Sequence, residues 1–303
     1  THGRPRRTDS AHFIVRFGIT PDPIWRTAHF DQYTPLAPHM GGDGFSMNPS
    51  MASDAYIQSI ERLLRDVVAW CEKKPWRNRI VAYAVFPYGE GVSELTCFGD
   101  LFDTSLPMQQ AFRKFLAEKY ATDQALRDAW QDQAASLASA AVPTAAEWSE
   151  KKAKLKLMHW PDPRQVQRER DYFELNKKLY HRYCNTLFDT MLAATAARPC
   201  IKGYDILKQH MQGWLHTPCF DGAWRTDTLD SYSAAIFACG AFDTEKLYDH
   251  PGIDMLQTPG MYYNRAMGFA WDAEGVTDSL ALRGKLNYME GDMRTWVNRD
   301  VPG

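Results

Sequence analysis

The sequence predicts an α/β fold of the (β/α)8 TIM-barrel type. Apolar runs with strand character alternate with helical segments, which is the pattern of a parallel sheet. The segments that follow the strands are long and rich in polar and aromatic residues, whereas the connections that return to the next strand are tighter. A barrel carries its functional loops at the carboxyl ends of its strands, which fits this asymmetry. Five strands are clear, about three fewer than a complete barrel has.

The first part of the chain reads as strand, loop, helix and strand. His12–Ile19 is β-branched and aromatic, and two prolines end it. Residues 20–50 are predicted to form a long loop rich in Pro, Gly, His and Met. Residues 50–73 have apolar positions at helical spacing, with Ser53 as the cap. Ile80–Phe86 is a nearly continuous apolar run, as expected for a parallel strand buried on both faces.

The rest of the chain continues the alternation. We predict helices at 107–120, 123–130, 163–197, 229–238 and 278–282, strands at 200–206, 253–257 and 285–289, and loops at 131–148 and 207–228. A doubly wound sheet is the alternative, but no glycine-rich phosphate turn follows a strand, since the Gly-Asp-Gly at 42–44 lies within a predicted loop. We therefore expect residues 1–303 to form one barrel-type domain, either whole or a piece of a longer chain.

The composition narrows the classes of partner. The chain has 303 residues, 45% of them hydrophobic, and a net charge of −2 without long charged blocks, so nucleic acid and anionic membranes are not favoured. No run approaches the roughly 18 apolar residues of a membrane helix. The opening segment THGRPRRTDS lacks the apolar core of a signal peptide. Six widely spaced cysteines without a CxxC pair indicate reduced thiols, which favours the cytoplasm.

Two stretches carry candidate chemistry. In the first, a short strand bounded by glycines ends at Glu290, and Arg294 follows four residues later. A carboxylate at a strand end beside a cation is typical of an active-site carboxylate held ionised, although a surface strand end with an ordinary salt bridge has the same pattern. In the second stretch, the loop after the strand 80–86 carries Glu90 and Glu94.

Four segments occur together in one order: IVAYAVFPYGEGVSEL at 80–95, FDTSLPMQQAFRKFLAEKYATDQALRDAWQD at 102–132, IDMLQTPGMYYNRAMG at 253–268 and SLALRGKLNYMEGDMRT at 279–295. They resemble the β-galactosidase-like glycoside hydrolases of clan A, near family 42. The second resembles that family's D-S-P, F-R-x-W-L, K-Y-G-T and L-x-x-A-W stretch. The resemblance implies a TIM barrel present from its third strand to just past its seventh, without visible first, second and eighth strands.

The resemblance also implies a role for each carboxylate. The family's acid/base Glu ends its fourth strand, where Glu90 stands, and its nucleophile ends the seventh strand, where Glu290 stands. The family usually has Asn before the acid/base residue, whereas this chain has Gly89, and Glu94 is the alternative acid/base. Cleavage with retention needs the two carboxyl groups about 5–5.5 Å apart, one protonated and one ionised.

Further side chains are predicted to bind the sugar or to keep the nucleophile ionised. They are Arg16, Trp25, Glu94, Tyr204, Trp214, Tyr262, Arg265, Asp292 and Arg294. The arginines supply positive charge and the aromatic rings supply stacking faces, although each ring is equally consistent with core packing. The nine histidines show no HxH or HxxxH pair and no GxSxG elbow is present, so we expect neither a metal nor a cofactor.

Three hypotheses about function remain open. The first is a retaining hydrolase of a β-linked, galactoside-like sugar. The second is a barrel without turnover that binds carbohydrate or serves a structural role, favoured by Gly89 and by the missing strands. The third is an unrelated α/β enzyme with a coincidental likeness, which strand order would reveal. Because enzymes of this family often assemble as oligomers, a homo-oligomer is a further expectation of the resemblance.

Overall fold

The computed structural model describes residues 11–19, 21–35, 45–86, 102–155, 162–204, 245–259 and 277–290. The strands in this part are β1 (Phe13–Gly18), β2 (Tyr33–Pro35), β3 (Phe45–Pro49), β4 (Ile80–Phe86), β5 (Ile201–Tyr204), β6 (Met255–Pro259) and β7 (Leu286–Glu290). The helices are α1 (Pro23–Ala28), α2 (Asp54–Glu72), α3 (Leu106–Tyr120), α4 (Asp123–Trp130), α5 (Ala145–Leu155), α6 (Gln167–Ala194), α7 (Glu245–Tyr248) and α8 (Thr277–Ala281). Short 3-10 turns lie at Phe30–Gln32 and Arg77–Arg79.

The main sheet has five parallel strands in the order β1-β4-β5-β6-β7. Strands β2 and β3 form a separate antiparallel pair. These five strands follow one another across the sheet in the same order as along the chain. The prediction of an α/β fold with a parallel sheet is therefore confirmed.

Most predicted elements appear within a few residues of their expected ends, but the prediction of one long loop over 20–50 is wrong. That segment contains α1 and both strands of the antiparallel pair. Helix α1 forms because the Asp22 side chain accepts a hydrogen bond from the Trp25 amide (2.7 Å) and Pro23 occupies the first turn. Likewise, α5 begins inside the predicted loop 131–148. The elements predicted within 207–238 lie outside the described residues.

One face of the sheet packs against α2 and α6. Helix α2 begins at the expected cap, since the Ser53 hydroxyl accepts the Tyr56 amide (3.1 Å). The Tyr83 hydroxyl donates to Glu72 Oε1 at the end of α2 (2.6 Å). Glu72 also receives the Arg198 guanidinium at 2.6–3.2 Å. These hydrogen bonds, with that of Arg198 the largest effect, lower the pKa of Glu72 against the opposing effect of burial.

We call the other face of the sheet, turned away from α2 and α6, the far face. Because side chains alternate along a strand, it follows from the orientation of Tyr83 that Ala82 and Ala84 belong to the far face. Both alanines are buried. A Cβ added to Gly203 would lie 3.4 Å from the Ala84 Cβ and 2.6 Å from the Met255 Cε. Small side chains at the centre of the far face thus leave room for Met255.

A buried carboxylate joins three helices beside the sheet. Asp171 of α6 is fully buried and accepts four hydrogen bonds. The donors are Lys119 (2.9 Å) and Tyr120 (2.8 Å) of α3, Trp130 of α4 (2.7 Å) and Gln167 of α6 (2.8 Å). A buried carboxylate is tolerated when its oxygens are satisfied in this way, so the cluster holds α3 and α4 against α6.

Candidate active site

The carboxyl ends of the parallel strands lie along one edge of the sheet, and β7 ends there at Glu290. In the β6–β7 ladder, Glu290 is in register with Pro259 and Tyr288 with Gln257. Residues two apart on a strand share a face, so Glu290 and Tyr288 occupy positions of the same face. The predicted nucleophile thus follows Tyr288 along β7 toward the edge where a barrel carries its active site.

The position of the predicted acid/base is set by β4, which ends at Phe86 on the same edge. Glu90, its alternative Glu94 and the neighbouring Gly89 lie outside the described residues. Strands β5 and β6 separate β4 from β7. With neighbouring strands about 4.8 Å apart, a flat sheet would hold the ends of β4 and β7 about 14 Å apart.

Arg16 lies on β1, in register with Ala84, and therefore on the far face. Its side chain is exposed and interacts with other groups of the protein. Strand β1 and strand β7 are the outermost strands of the described sheet. Along the described sheet, the three strands β4, β5 and β6 separate Arg16 from Glu290, and the role of Arg16 beside the nucleophile stays a prediction.

Tyr204 lies in the core, where its ring and its hydroxyl are both occupied by the protein. The hydroxyl donates to the carbonyl oxygens of Gly252 (3.0 Å) and Leu187 (3.4 Å), and the ring packs edge-on against Phe188 at 4.6 Å between centroids. Burial raises the pKa of Tyr204 well above its ordinary value. The side chain thus faces α6, on the side of the sheet opposite the far face, which corrects the expectation that it contacts a sugar.

Trp25 of α1 also packs within the protein. Its ring stacks on His29, with centroids 4.3 Å apart, and leans against Tyr33 and Tyr56 at 5.9 and 6.1 Å. The ring is half-buried, and His29 occupies one of its faces. Trp25 therefore joins α1 to the start of α2, and its predicted role in stacking on a sugar stays a prediction.

The remaining predicted site residues lie outside the described residues. They are Trp214, Tyr262, Arg265, Asp292 and Arg294. Among the residues that the structure does describe, no three His, Cys, Asp or Glu side chains come together as a metal site would require. Nor does any described helix combine the length and apolar composition needed to cross a bilayer.

Two polar residues of the far face, Gln257 and Tyr288, are not among the site residues predicted from the sequence. Gln257 is buried with 4% of its surface exposed, whereas Tyr288 is 42% exposed. They stand opposite each other on β6 and β7. The alternation along Leu286–Glu290 was the available signal, because it assigns Tyr288 to the same face as Glu290.

Comparison with known proteins yields likeness in structure only. No protein-family model matches the chain, and no curated protein does. A β-galactosidase from the psychrophilic Marinomonas ef1 matches 78% of this chain with 29% of its own length, at 16% identity and a TM-score of 0.46. The β-galactosidase of the Antarctic haloarchaeon Halorubrum lacusprofundi matches 92% of this chain with 42% of its own, at 12% identity and 0.46.

A third similar structure is Gan42B, a GH42 β-galactosidase, at 13% identity and a TM-score of 0.46 over 90% of this chain and 32% of that one. Agarases are among the other similar structures. The chain spans less than half the length of each of these three β-galactosidases. Likeness at these identities and scores establishes neither a family nor a substrate.

Proposed function

We propose that the chain forms the central part of a (β/α)8 barrel and hydrolyses a β-linked, galactoside-like sugar with retention. The observation that carries the proposal is that Glu290 ends a parallel strand, at the position where the sequence motif expects the nucleophile. The strand order supports the barrel, because successive strands are added in one direction. A doubly wound sheet instead reverses direction at a switch point.

In this mechanism one carboxylate is the nucleophile and the other is the acid and base. Glu290, ionised, attacks the anomeric carbon while Glu90 donates its proton to the departing glycosidic oxygen, which gives a glycosyl ester on Glu290. Glu90, now ionised, then takes a proton from water as the water attacks the anomeric carbon and releases Glu290. Closure of the sheet into a barrel would let residues after β4 and β7 face each other over the sugar, at the separation that retention requires.

The direct test is hydrolysis of aryl β-glycosides, the galactoside first, by the wild type and by Glu290→Gln. We expect kcat to fall at least about 10³-fold, because the amide cannot form the covalent ester. Glu245→Gln, at the exposed start of α7, is the matched control and should keep full activity. Equal turnover by Glu290→Gln and the wild type would remove Glu290 from the mechanism.

A second experiment separates Glu90 from Glu94 as the acid/base. Loss of the general acid slows substrates with poor leaving groups far more than substrates whose phenol leaves as a stable anion. We therefore expect Glu90→Gln to keep nearly the wild-type kcat/KM on a dinitrophenyl galactoside, because kcat/KM reports the first step, but to lose activity on an alkyl galactoside. The same selectivity in Glu94→Gln, with Glu90→Gln unaffected, would assign the role to Glu94.

The second candidate function is a barrel that binds carbohydrate without turnover. Gly89 favours it, because the family usually has Asn before the acid/base residue. Sugar binding by the wild type without hydrolysis of any aryl glycoside would support it. We also propose that the protein forms a homo-oligomer, which a measurement of its molar mass in solution tests.

A further inference from the structure

Three residues at the carboxyl end of the β6–β7 ladder lie close together on the far face. Gln257 and Tyr288 are directly opposite each other, and Glu290 follows Tyr288 by two residues. Opposite residues of neighbouring strands have Cβ atoms about 5 Å apart, and two residues along a strand span about 7 Å. An amide, a phenol ring and the position of the proposed nucleophile therefore fall within the dimensions of one sugar ring.

The Gln257 amide is placed where a ligand could use it. The residue is 4% exposed, and neither of its amide atoms is among the described side-chain atoms that are both sealed from solvent and without a partner. An amide carries both donors and an acceptor but no charge, which suits the hydroxyl groups of a neutral sugar.

Tyr288 offers an aromatic surface beside that amide. It is 42% exposed, whereas Met255 on the neighbouring strand of the same face is only 3% exposed. An aromatic ring with one accessible face can pack against the apolar C–H face of a pyranose, while its hydroxyl stays free for polar contact. On β7 itself, Leu286 of the same face is 50% exposed, so this outer strand of the described sheet presents an accessible face at both positions.

We propose that Gln257 and Tyr288 form a sugar-binding floor beside Glu290, with Gln257 bonding a hydroxyl group and Tyr288 stacking on the ring of a neutral hexopyranoside. The inference deepens the proposed function and rests on Glu290 marking the site. It does not require turnover, because a barrel that only binds sugar would use the same floor. Binding and hydrolysis can therefore be tested separately.

The experiment measures D-galactose binding to the full chain by ligand-observed NMR, with D-galacturonate as the charged comparison. Gln257→Met keeps the length of the side chain and removes the amide. Tyr288→Leu removes the ring, and Tyr288→Phe retains it. Thermal unfolding of each variant is measured in parallel, because an amide bonded within the protein would reveal itself by a lower midpoint when it is removed.

We expect Gln257→Met and Tyr288→Leu each to weaken galactose binding about tenfold, as loss of one good hydrogen bond or stacking contact does. Tyr288→Phe should bind like the wild type, and all unfolding midpoints should stay unchanged. Galactose binding that survives both changes, a lower midpoint for Gln257→Met, or no galactose binding by the wild type overturns the proposal. If the wild type binds galactose through these residues but never hydrolyses a glycoside, the proposed hydrolysis fails and this inference stands.

Discussion

Ala121 closes helix α3 in a conformation that its side chain disfavours. Its φ is 61°, in the left-handed region, and its amide donates to the Ala117 carbonyl oxygen (3.1 Å) as a helix cap does. An alanine there costs about 1–2 kcal/mol relative to glycine in the folded state. Glycine loses about 0.5–1 kcal/mol more conformational entropy on folding, which offsets part of this gain. Ala121→Gly should therefore raise the free energy of unfolding by about 0.5–1 kcal/mol.

The position also agrees with the sequence motif, since Ala121 stands where the resembling stretch K-Y-G-T has glycine. Urea denaturation measures the effect, and the thermal midpoint should rise by about 2 °C. Gln131, with a φ of 54° at the end of α4, should respond to glycine in the same direction. A lower free energy of unfolding for Ala121→Gly would show that another term outweighs the backbone strain.

A matched control fixes the sign of the effect. Ala117 is exposed and lies within the same helix, four residues earlier. Glycine at an exposed position inside a helix costs about 1 kcal/mol. Ala117→Gly should therefore destabilise the protein, while Ala121→Gly stabilises it. Equal changes in both variants would refute the argument from the left-handed conformation.

Three further changes test the packing around the sheet. The lowered pKa of Glu72 means that its contribution to stability is complete above its ordinary pKa of 4.5 and is lost as the pH falls through its folded-state pKa. Glu72→Gln weakens the pair with Arg198 and should therefore flatten the fall of the thermal midpoint in acid. Asp171→Ala leaves four donors without their acceptor and should lower the free energy of unfolding by about 3–5 kcal/mol in urea denaturation. Gly252→Ala would place a Cβ 2.3 Å from the Phe188 carbonyl oxygen and should cost about 1–3 kcal/mol by the same measurement.

The sequence predicts the main-sheet strands well because their signals are local. Ile80–Phe86 is almost continuously apolar, and β7 is bounded by glycine on its amino-terminal side. The apolar pattern and the flanking glycine are therefore enough to predict these two strands. The antiparallel pair β2–β3 was missed because its pairing joins residues on either side of a polar, glycine-rich segment. Pairing between segments separated in this way leaves little trace in local composition.

The face on which a side chain lies is harder to predict for a short buried strand. β5 has only four residues, and parallel strands covered on both faces lack a clear alternation of polar and apolar residues. Tyr204 therefore looked as suitable for a sugar site as for the core, until its hydrogen bond to Gly252 showed which side it faces. The pairing of Gln257 with Tyr288 likewise depends on the register between two strands, which no single segment contains.

The two functional hypotheses agree about the β6–β7 side of the site and differ about the β4 side. Binding and hydrolysis both need a surface for the sugar, and Gln257, Tyr288 and Glu290 would supply it in either case. Only hydrolysis needs an acid that protonates the leaving group, which is the role proposed for Glu90. Loss of sugar binding in Tyr288→Leu therefore cannot distinguish an enzyme from a binding module. The dependence of the Glu90→Gln rate on the leaving group can, because it appears only if bond cleavage takes place.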